Sequence, residues 1–253
     1  MQEPTERSTT GETREAFRLE RHRQLLETAL RIVTTEGLSA LTMPRLADDL
    51  ECGVGTIYRH IPSKDALIAE LQREALDRIT TSFEVSQAHL EDLLLAHKVD
   101  DPVTVALARL VAGVRYWISA EREMPSEIEL LRLMFTDPSL HMDEEDMSRS
   151  LPASLRLLDL ARVLLADAAD HGAIRPGPDI FRAIVVVAGT TGVLMTSELD
   201  RWDDGLFNGQ LLATMMARDL FLGWGADAAL LEEVELLVAE LDGAGHLVPP
   251  VRR

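Results

Sequence analysis

The 253-residue sequence predicts an all-α protein in two parts, a small three-helix unit near the N-terminus that holds a helix-turn-helix and a larger helical bundle behind it. Three observations predict this. Apolar residues recur at three- and four-residue spacing along nearly the whole chain, and no segment alternates apolar and polar as a half-buried strand would. Glycine and proline interrupt the pattern at helix-length intervals, at Gly37, Pro102, Gly172, Pro176-Gly177-Pro178 and Gly223. Two very short helical segments, Thr42 to Leu50 and Val54 to Ile61, are joined only by Glu51-Cys52-Gly53, the spacing of a helix-turn-helix.

Residues 1–17 are polar, mixed in charge and aperiodic, which predicts a disordered arm. A first helix is expected from Leu19 to Glu36, with Leu25, Leu26, Ala29, Leu30 and Val33 on its core face and Gly37 as a left-handed cap. Thr42 is the natural N-cap of the second helix, and Pro44 falls in its first turn, where a missing N–H costs little. Arg45 stands where a capping box would need Glu or Gln. After the third helix, Ser63 caps a fourth that runs to at least Thr80.

Asp101-Pro102 opens a helix with Val103, Leu107, Leu110, Val111, Val114, Trp117 and Ile118 on one face. Ser126 and Glu129 read as a capping box ahead of Leu130, Leu131 and Met134. Further helices are expected over Pro152 to His171, Asp179 to Glu198, Asp204 or Gly205 to about Leu222, and from an Asp227 cap to Leu241. Residues 81–100 and 136–149 carry no clear pattern. The domain boundaries follow: an arm over 1–17, the helix-turn-helix domain over 18–65, the bundle over 66–253.

The 46% hydrophobic content supplies a substantial core. Cys52 is the single cysteine, which excludes an internal disulfide framework. With no charged-then-apolar leader at the start of the sequence, a cytoplasmic location is expected. The uncharged run from Ala183 to Ser197 is short for a bilayer span and is broken by Gly189, Thr190, Thr191 and Gly192, so a buried interface helix is expected there rather than a membrane segment. Net charge is -18. It is unevenly placed: residues 81–253 hold 14 Lys+Arg against 29 Asp+Glu, or -15, while residues 16–64 hold 7 against 6, or +1. Such asymmetry disfavours non-specific coating of nucleic acid and turns the N-terminal end toward a polyanion.

Two runs carry a family resemblance. Leu25-Leu26 with Ala29-Leu30 and Gly37 form one; Gly55-Thr56-Ile57-Tyr58-Arg59-His60-Ile61 followed by Ser63-Lys64-Asp65-Ala66-Leu67 form the other. Together they resemble the tetracycline-repressor (TetR) family of bacterial transcriptional regulators. The resemblance implies that Cys52, Ile57 and Ile61 form the back of the recognition helix while Val54, Gly55, Thr56, Tyr58, Arg59 and His60 face double-stranded DNA. Arg59 could grip a guanine bidentately, Tyr58 and His60 suit phosphates, and Lys64 joins a helix N-terminus as a phosphate site, a role Thr42 could share. Arg45 adds positive charge on the same side. Glu51 and Gly53 depart from the family pattern, standing where a turn glycine and a capping serine are usual; each departure disfavours binding.

The same resemblance places an effector cavity in the bundle, for which Tyr116, Trp117, Leu131, Met134, Phe135, Thr190, Thr191 and Met195 are the candidates, with Met215 and Met216 nearby in composition. The ligand is not named by the sequence. A palindromic operator requires two reading heads, and helices 179–198 and 206–222 are the expected homodimer interface. Phe181, Ile184, Val185, Ala188, Gly192 and Met195 on one, and Leu211, Leu212, Met215 and Leu220 on the other, exceed the needs of one core. Ala188, Gly189 and Gly192 are expected to admit partner helices closely. Cys52 is expected as a small buried hydrophobe rather than a redox sensor. The run from His141 to Asp146 matches neither a zinc nor a calcium spacing, so no metal and no cofactor are expected. No nucleophile-base pair or phosphate-binding glycine loop points to catalysis; the competing reading is a helical small-molecule carrier or enzyme with an incidental helix-turn-helix.

Overall fold

A computed structural model describes the backbone of residues 6–136, 144–203, 205–245 and 247, with side chains over 15–132, 151–197, 199–203, 205–243 and 247. All elements among the described residues are helical, as the periodicity requires. The chain divides into two compact units, one of residues 1–74 with 133–150 and the other of residues 75–132 with 151–253.

The first unit contains α1 (Glu6–Glu36), a 3-10 turn (Leu38–Ala40), α2 (Met43–Asp49), α3 (Val54–His60) and the start of α4 (Lys64–Ala96). Helix α1 starts upstream of Leu19, so part of the stretch read as an arm is helical. Its core face is Leu25, Leu26, Ala29, Ile32 and Val33; Ile32 is fully buried, whereas Leu30 is only half-buried and lies at the edge of the face. Leu46, Ala47, Ile57, Ile61 and Leu67 on the following helices are likewise nearly inaccessible, with α1 packed on α2 and α2 on α3. Burying such a side chain contributes about 1.5–3 kcal/mol, which holds two helices of seven residues that would not form alone. Gly37 sits at φ 85° and ψ 165°, a region essentially closed to side chains, and turns the chain out of α1. Thr42 accepts a hydrogen bond from the Arg45 amide at 3.2 Å and Ser63 one from the Ala66 amide at 2.9 Å, so both expected caps form.

The second unit comprises the rest of α4, then α5 (Pro102–Glu123), α6 (Pro125–Thr136) up to Arg132, α7 (Glu144–Asp170) from Leu151 onward, α8 (Asp179–Leu194) continued by a 3-10 turn (Met195–Leu199), α9 (Gly209–Gly223) and α10 (Ala228–Gly245). Helix α5 is the central rod: it packs on α8, α9 and α10 and buries Leu107, Leu110, Val111, Val114 and Ile118. Its Asp101 carboxylate caps the Thr104 amide at 2.9 Å, as expected, and Asp227 does the same for Leu230.

Several boundaries differ from the sequence reading. Helix α4 continues through the patternless stretch to Ala96. Helix α6 begins at Pro125, which puts Ser126 inside its first turn rather than at a cap, and Glu129 pairs with Arg132 instead of reaching back. Helix α7 starts at Glu144 and runs through Pro152, giving up one backbone hydrogen bond instead of starting at the proline. Helix α9 starts at Gly209, later than expected, where the Asn208 side chain accepts from the Leu211 amide at 2.9 Å; Asp204 lies outside the described residues.

Among the described residues, two helical stretches are long and apolar enough to cross a membrane, Pro102–Glu123 and Asp179–Ser197, so the second is not too short as its uncharged run suggested. The first is 56% buried inside the chain; the second, expected as an interface helix, is 17% buried within the single chain. Phe181, Ile184 and Val185 on α8 and Leu211 and Met215 on α9 are exposed, and α8 and α9 pack against each other. Gly189 serves that internal packing: a Cβ there would meet the Met216 sulfur at 2.9 Å, so it admits α9 of the same chain, whereas Gly192 has open space beside it.

Candidate nucleic-acid interface

Helices α2 and α3 are held through the short connection at residues 50–53. The Cys52 amide bonds the Ala47 carbonyl at 2.9 Å, and Leu50 closes α2 on Leu46 at 3.1 Å. Glu51 occupies the turn at φ 50°, the left-handed region that a side chain enters at a cost of about 1–2 kcal/mol. The position where family members carry glycine thus has the backbone that glycine favours. Gly53 starts α3 with no side-chain cap, its carbonyl accepting from the Thr56 amide at 2.7 Å.

The back of α3 is Ile57, with Ile61 just beyond; both are 1% exposed. Cys52, expected beside them, is half-buried. Gly55, Tyr58 and Arg59 are exposed, and Val54, Thr56, His60 and Lys64 are intermediate. A Cβ at Gly55 would meet nothing within 4 Å, so its open surface is available to an approaching backbone. The Arg59 guanidinium donates to the Thr56 hydroxyl at 3.1 Å, which draws it along the exposed face of α3.

The other cations are more committed. Arg45 pairs with Glu36 and Asp49 at 3.0 Å each, and Asp49 also receives Arg31 at 2.8 Å, so the extra positive charge at Arg45 is neutralised locally. The two arginines hold the Asp49 carboxyl below its usual range, Arg31 foremost. Lys64 donates to the Leu38 carbonyl at 3.2 Å and ties α4 to the 3-10 turn. His60 is held below the ordinary imidazole range by desolvation first, then by the positive charges of His22, Arg59, Arg21 and Arg18. Those last two, on α1, add positive potential beside α3. Sequence reasoning gave Arg18 and Arg21 no part in the interface, although their three-residue spacing places them on one face of a helix. His22 itself lies 2.9 Å from Glu70.

The bundle holds one notable apolar cavity of about 60 Å³, walled by α4, α5, α7, α8 and α9. Of the effector candidates it brings together Trp117 and Thr190 only; Phe83, Leu110, Leu164 and Phe221, which the sequence did not single out, complete much of its wall. Tyr116 is fully buried and is not itself part of this lining, lying against Phe83 instead. Its hydroxyl donates to the Ile79 carbonyl at 3.0 Å, its ring meets Phe83 edge-on at 5.1 Å, and burial pushes its phenol up to about 12. Thr191 is spent on Trp117 and on the Val187 carbonyl, while Leu131 and Met195 are not part of the lining. The side chains of Met134 and Phe135, and the run His141 to Asp146, lie outside the described residues. Among the described residues no group of His, Cys, Asp and Glu is placed to hold a metal.

Residues 25–71 match the sequence profile of the bacterial regulatory proteins of the tetR family. An HTH-type transcriptional regulator of Staphylococcus aureus strain USA300 is 32% identical over 93 residues, covering 32% of this chain and 50% of the relative. The chain thus spans about half the length of the curated relatives it matches. Among solved structures, a protein of unknown function from Rhodococcus sp. RHA1 superposes with a TM-score of 0.60 at 21% identity over 81% of this chain and 95% of that one. The transcriptional regulator FadR from Bacillus subtilis, solved in complex with stearoyl-CoA, gives a TM-score of 0.55 at 16% identity over 78% of this chain and 97% of that one. At these identities the structures share the fold.

Proposed function

We propose that this chain, whose residues 25–71 match the profile of the tetR family of bacterial regulatory proteins, is a transcriptional repressor of that family. It binds a palindromic operator as a homodimer and leaves that operator when a small molecule enters the bundle. The observation that carries the reading is the construction of α3: Ile57 anchors its back in the core while Gly55, Tyr58 and Arg59 stand exposed in front. A short helix so mounted fits the major groove, where Arg59 can read a base edge and Thr56, Tyr58 and His60 can take phosphates. Val54 and Gly55 allow close approach. Thr42, Arg45 and Lys64 flank the phosphates, Arg45 after releasing at least one of its acidic partners.

The exposed apolar face of α8 and α9 supports the homodimer, since two copies related by a twofold axis would cover it as a four-helix interface. The cavity in the bundle, and the stearoyl-CoA held by one structural relative, support a small-molecule effector. Helix α4 contributes residues to both units and, like α6 and α7, is a covalent connection between them. An effector acts by favouring a spacing of the two heads that does not fit the operator, because only differential affinity for two states shifts their populations. The protein works in the cytoplasm, on DNA and without a cofactor. A gel-shift against the DNA upstream of its own coding sequence tests the reading. A retarded band displaced by the same unlabelled duplex, and not by an unrelated one, is expected; no band, or equal displacement by both, overturns it.

A further inference from the structure

The cavity between α4, α5, α7, α8 and α9 has an unusual polar inventory. Apart from Thr190 and Trp117, the side chains that line it are hydrocarbon or aromatic, and no charged residue is among them. The Trp117 indole N–H is committed to the Thr191 hydroxyl at 3.2 Å, which in turn donates to the Val187 carbonyl at 2.8 Å. Thr190 is different. It is 1% exposed, and its hydroxyl has no hydrogen-bond partner. Thr191 and Thr214 satisfy theirs on the carbonyl four residues back, the ordinary resort of a helical threonine. A buried hydroxyl left without a partner destabilises the fold, so this position has a standing deficit that a guest molecule can relieve.

We infer that this cavity selects a compact, uncharged, lipophilic molecule, about one six-membered ring in bulk, with a single hydrogen-bonding group that meets the Thr190 hydroxyl. The inference rests on reading the bundle as the effector-binding part and adds the chemistry of the effector. Size follows from the volume: about 60 Å³ gives room for on the order of five waters, which as liquid fill about 150 Å³. A long acyl chain does not fit in that space. Charge selection follows from the walls, because an ion would lose its hydration and find no counter-charge. Gly113 sets one side: a Cβ there would meet Leu164 at 3.2 Å and Phe83 at 3.6 Å, so any larger residue intrudes on the space.

Phenol, toluene and benzoate, alike in ring size and different in polarity, are the probes. They are titrated into the full chain without DNA at neutral pH and followed by calorimetry and thermal unfolding. Phenol and toluene should bind and raise the unfolding midpoint, and benzoate should bind at least tenfold more weakly. Thr190→Val keeps the shape and removes the hydroxyl: phenol should lose roughly fivefold in affinity while toluene is unchanged, and the ligand-free variant should melt no lower than the parent. Gly113→Leu should weaken phenol and toluene together. Should that variant fail to fold, the Thr190→Val comparison still decides. Benzoate binding as well as phenol, equal losses of phenol and toluene in Thr190→Val, or binding by neither neutral probe overturns the inference. Operator binding is read separately: a chain that holds its operator but binds no probe refutes the cavity chemistry alone, and one that binds phenol as expected yet never engages DNA refutes the regulatory reading alone.

Discussion

Arg59 and Lys64 carry the same charge, and the proposed reading gives them different work. Arg59 is exposed on α3 and only loosely held by Thr56, free to turn onto a base edge; Lys64 is half-buried and tethered to the Leu38 carbonyl at the start of α4. Arg59→Ala should therefore cost about 1–3 kcal/mol of specific binding and relax base preference at one position per half-site, while Lys64→Ala weakens all duplexes alike. Titrations against single-base operator variants separate the two, and uniform loss in Arg59→Ala would rule out direct readout by that side chain. Glu51 offers a change in the opposite direction. Its φ of 50° is strained for glutamate, and its carboxylate is exposed in the turn just before α3. Glu51→Gly relieves strain of about 1–2 kcal/mol, partly offset by the roughly 0.5–1 kcal/mol of backbone entropy that glycine loses on folding. Unfolding free energy should rise by up to about 1.5 kcal/mol, with tighter operator binding; a fall in both would remove the strain argument.

His60 supplies the pH dependence. Its folded-state pKa is lowered, so at a pH above the ordinary imidazole value both folded and unfolded chains hold it neutral and it contributes nothing. As pH falls through that value the unfolded chain takes up the proton first, and the fold loses stability. A phosphate beside His60 reverses the preference and draws a proton in on binding. Operator affinity should rise from about pH 8 to about pH 6, and His60→Gln should flatten that slope. A slope that survives the substitution would place His60 away from the backbone.

Among the elements, α8 and α9 carry the proposed assembly. Their outward residues, Phe181 at 67% exposure and Leu211 and Met215 at 52% each, are too apolar a surface to leave in water. Gly192→Arg together with Met215→Arg puts two charges on that face without touching the internal α8–α9 contact, which rests on Gly189 and Met216. Sedimentation at micromolar concentration should find a dimer for the parent and a monomer of unchanged helicity for the double variant; a parent monomer, or a variant that remains a dimer, contradicts the assignment. What was legible in the sequence at this scale was what neighbours in sequence decide. Thr42, Ser63, Asp101 and Asp227 cap as expected because a cap is settled within one turn. The start of α9 was misplaced because Asp204, Gly205 and Asn208 are all cap formers, and only packing chooses among them. The cavity was mostly illegible: Phe83 and Leu164 look like any core residue, and which helix face borders a void depends on how five helices meet.

At the scale of the whole molecule, the -18 net charge leaves residues 16–64 close to neutral, so the proposed operator binding has to come from a few placed contacts doubled by symmetry rather than from a basic surface. The local cations are themselves partly spent, Arg45 on Glu36 and Asp49, Lys64 on Leu38. One head reads only a few base pairs, and specificity then depends on two heads held at a fixed spacing. Selection from a random duplex pool by the full chain tests this most directly. The account predicts enrichment of an inverted repeat whose half-site centres lie a helical turn or more apart, with Arg59→Ala losing preference at one symmetric pair of positions. Recovery of a single half-site, of unrelated sequences, or of no enrichment would contradict it.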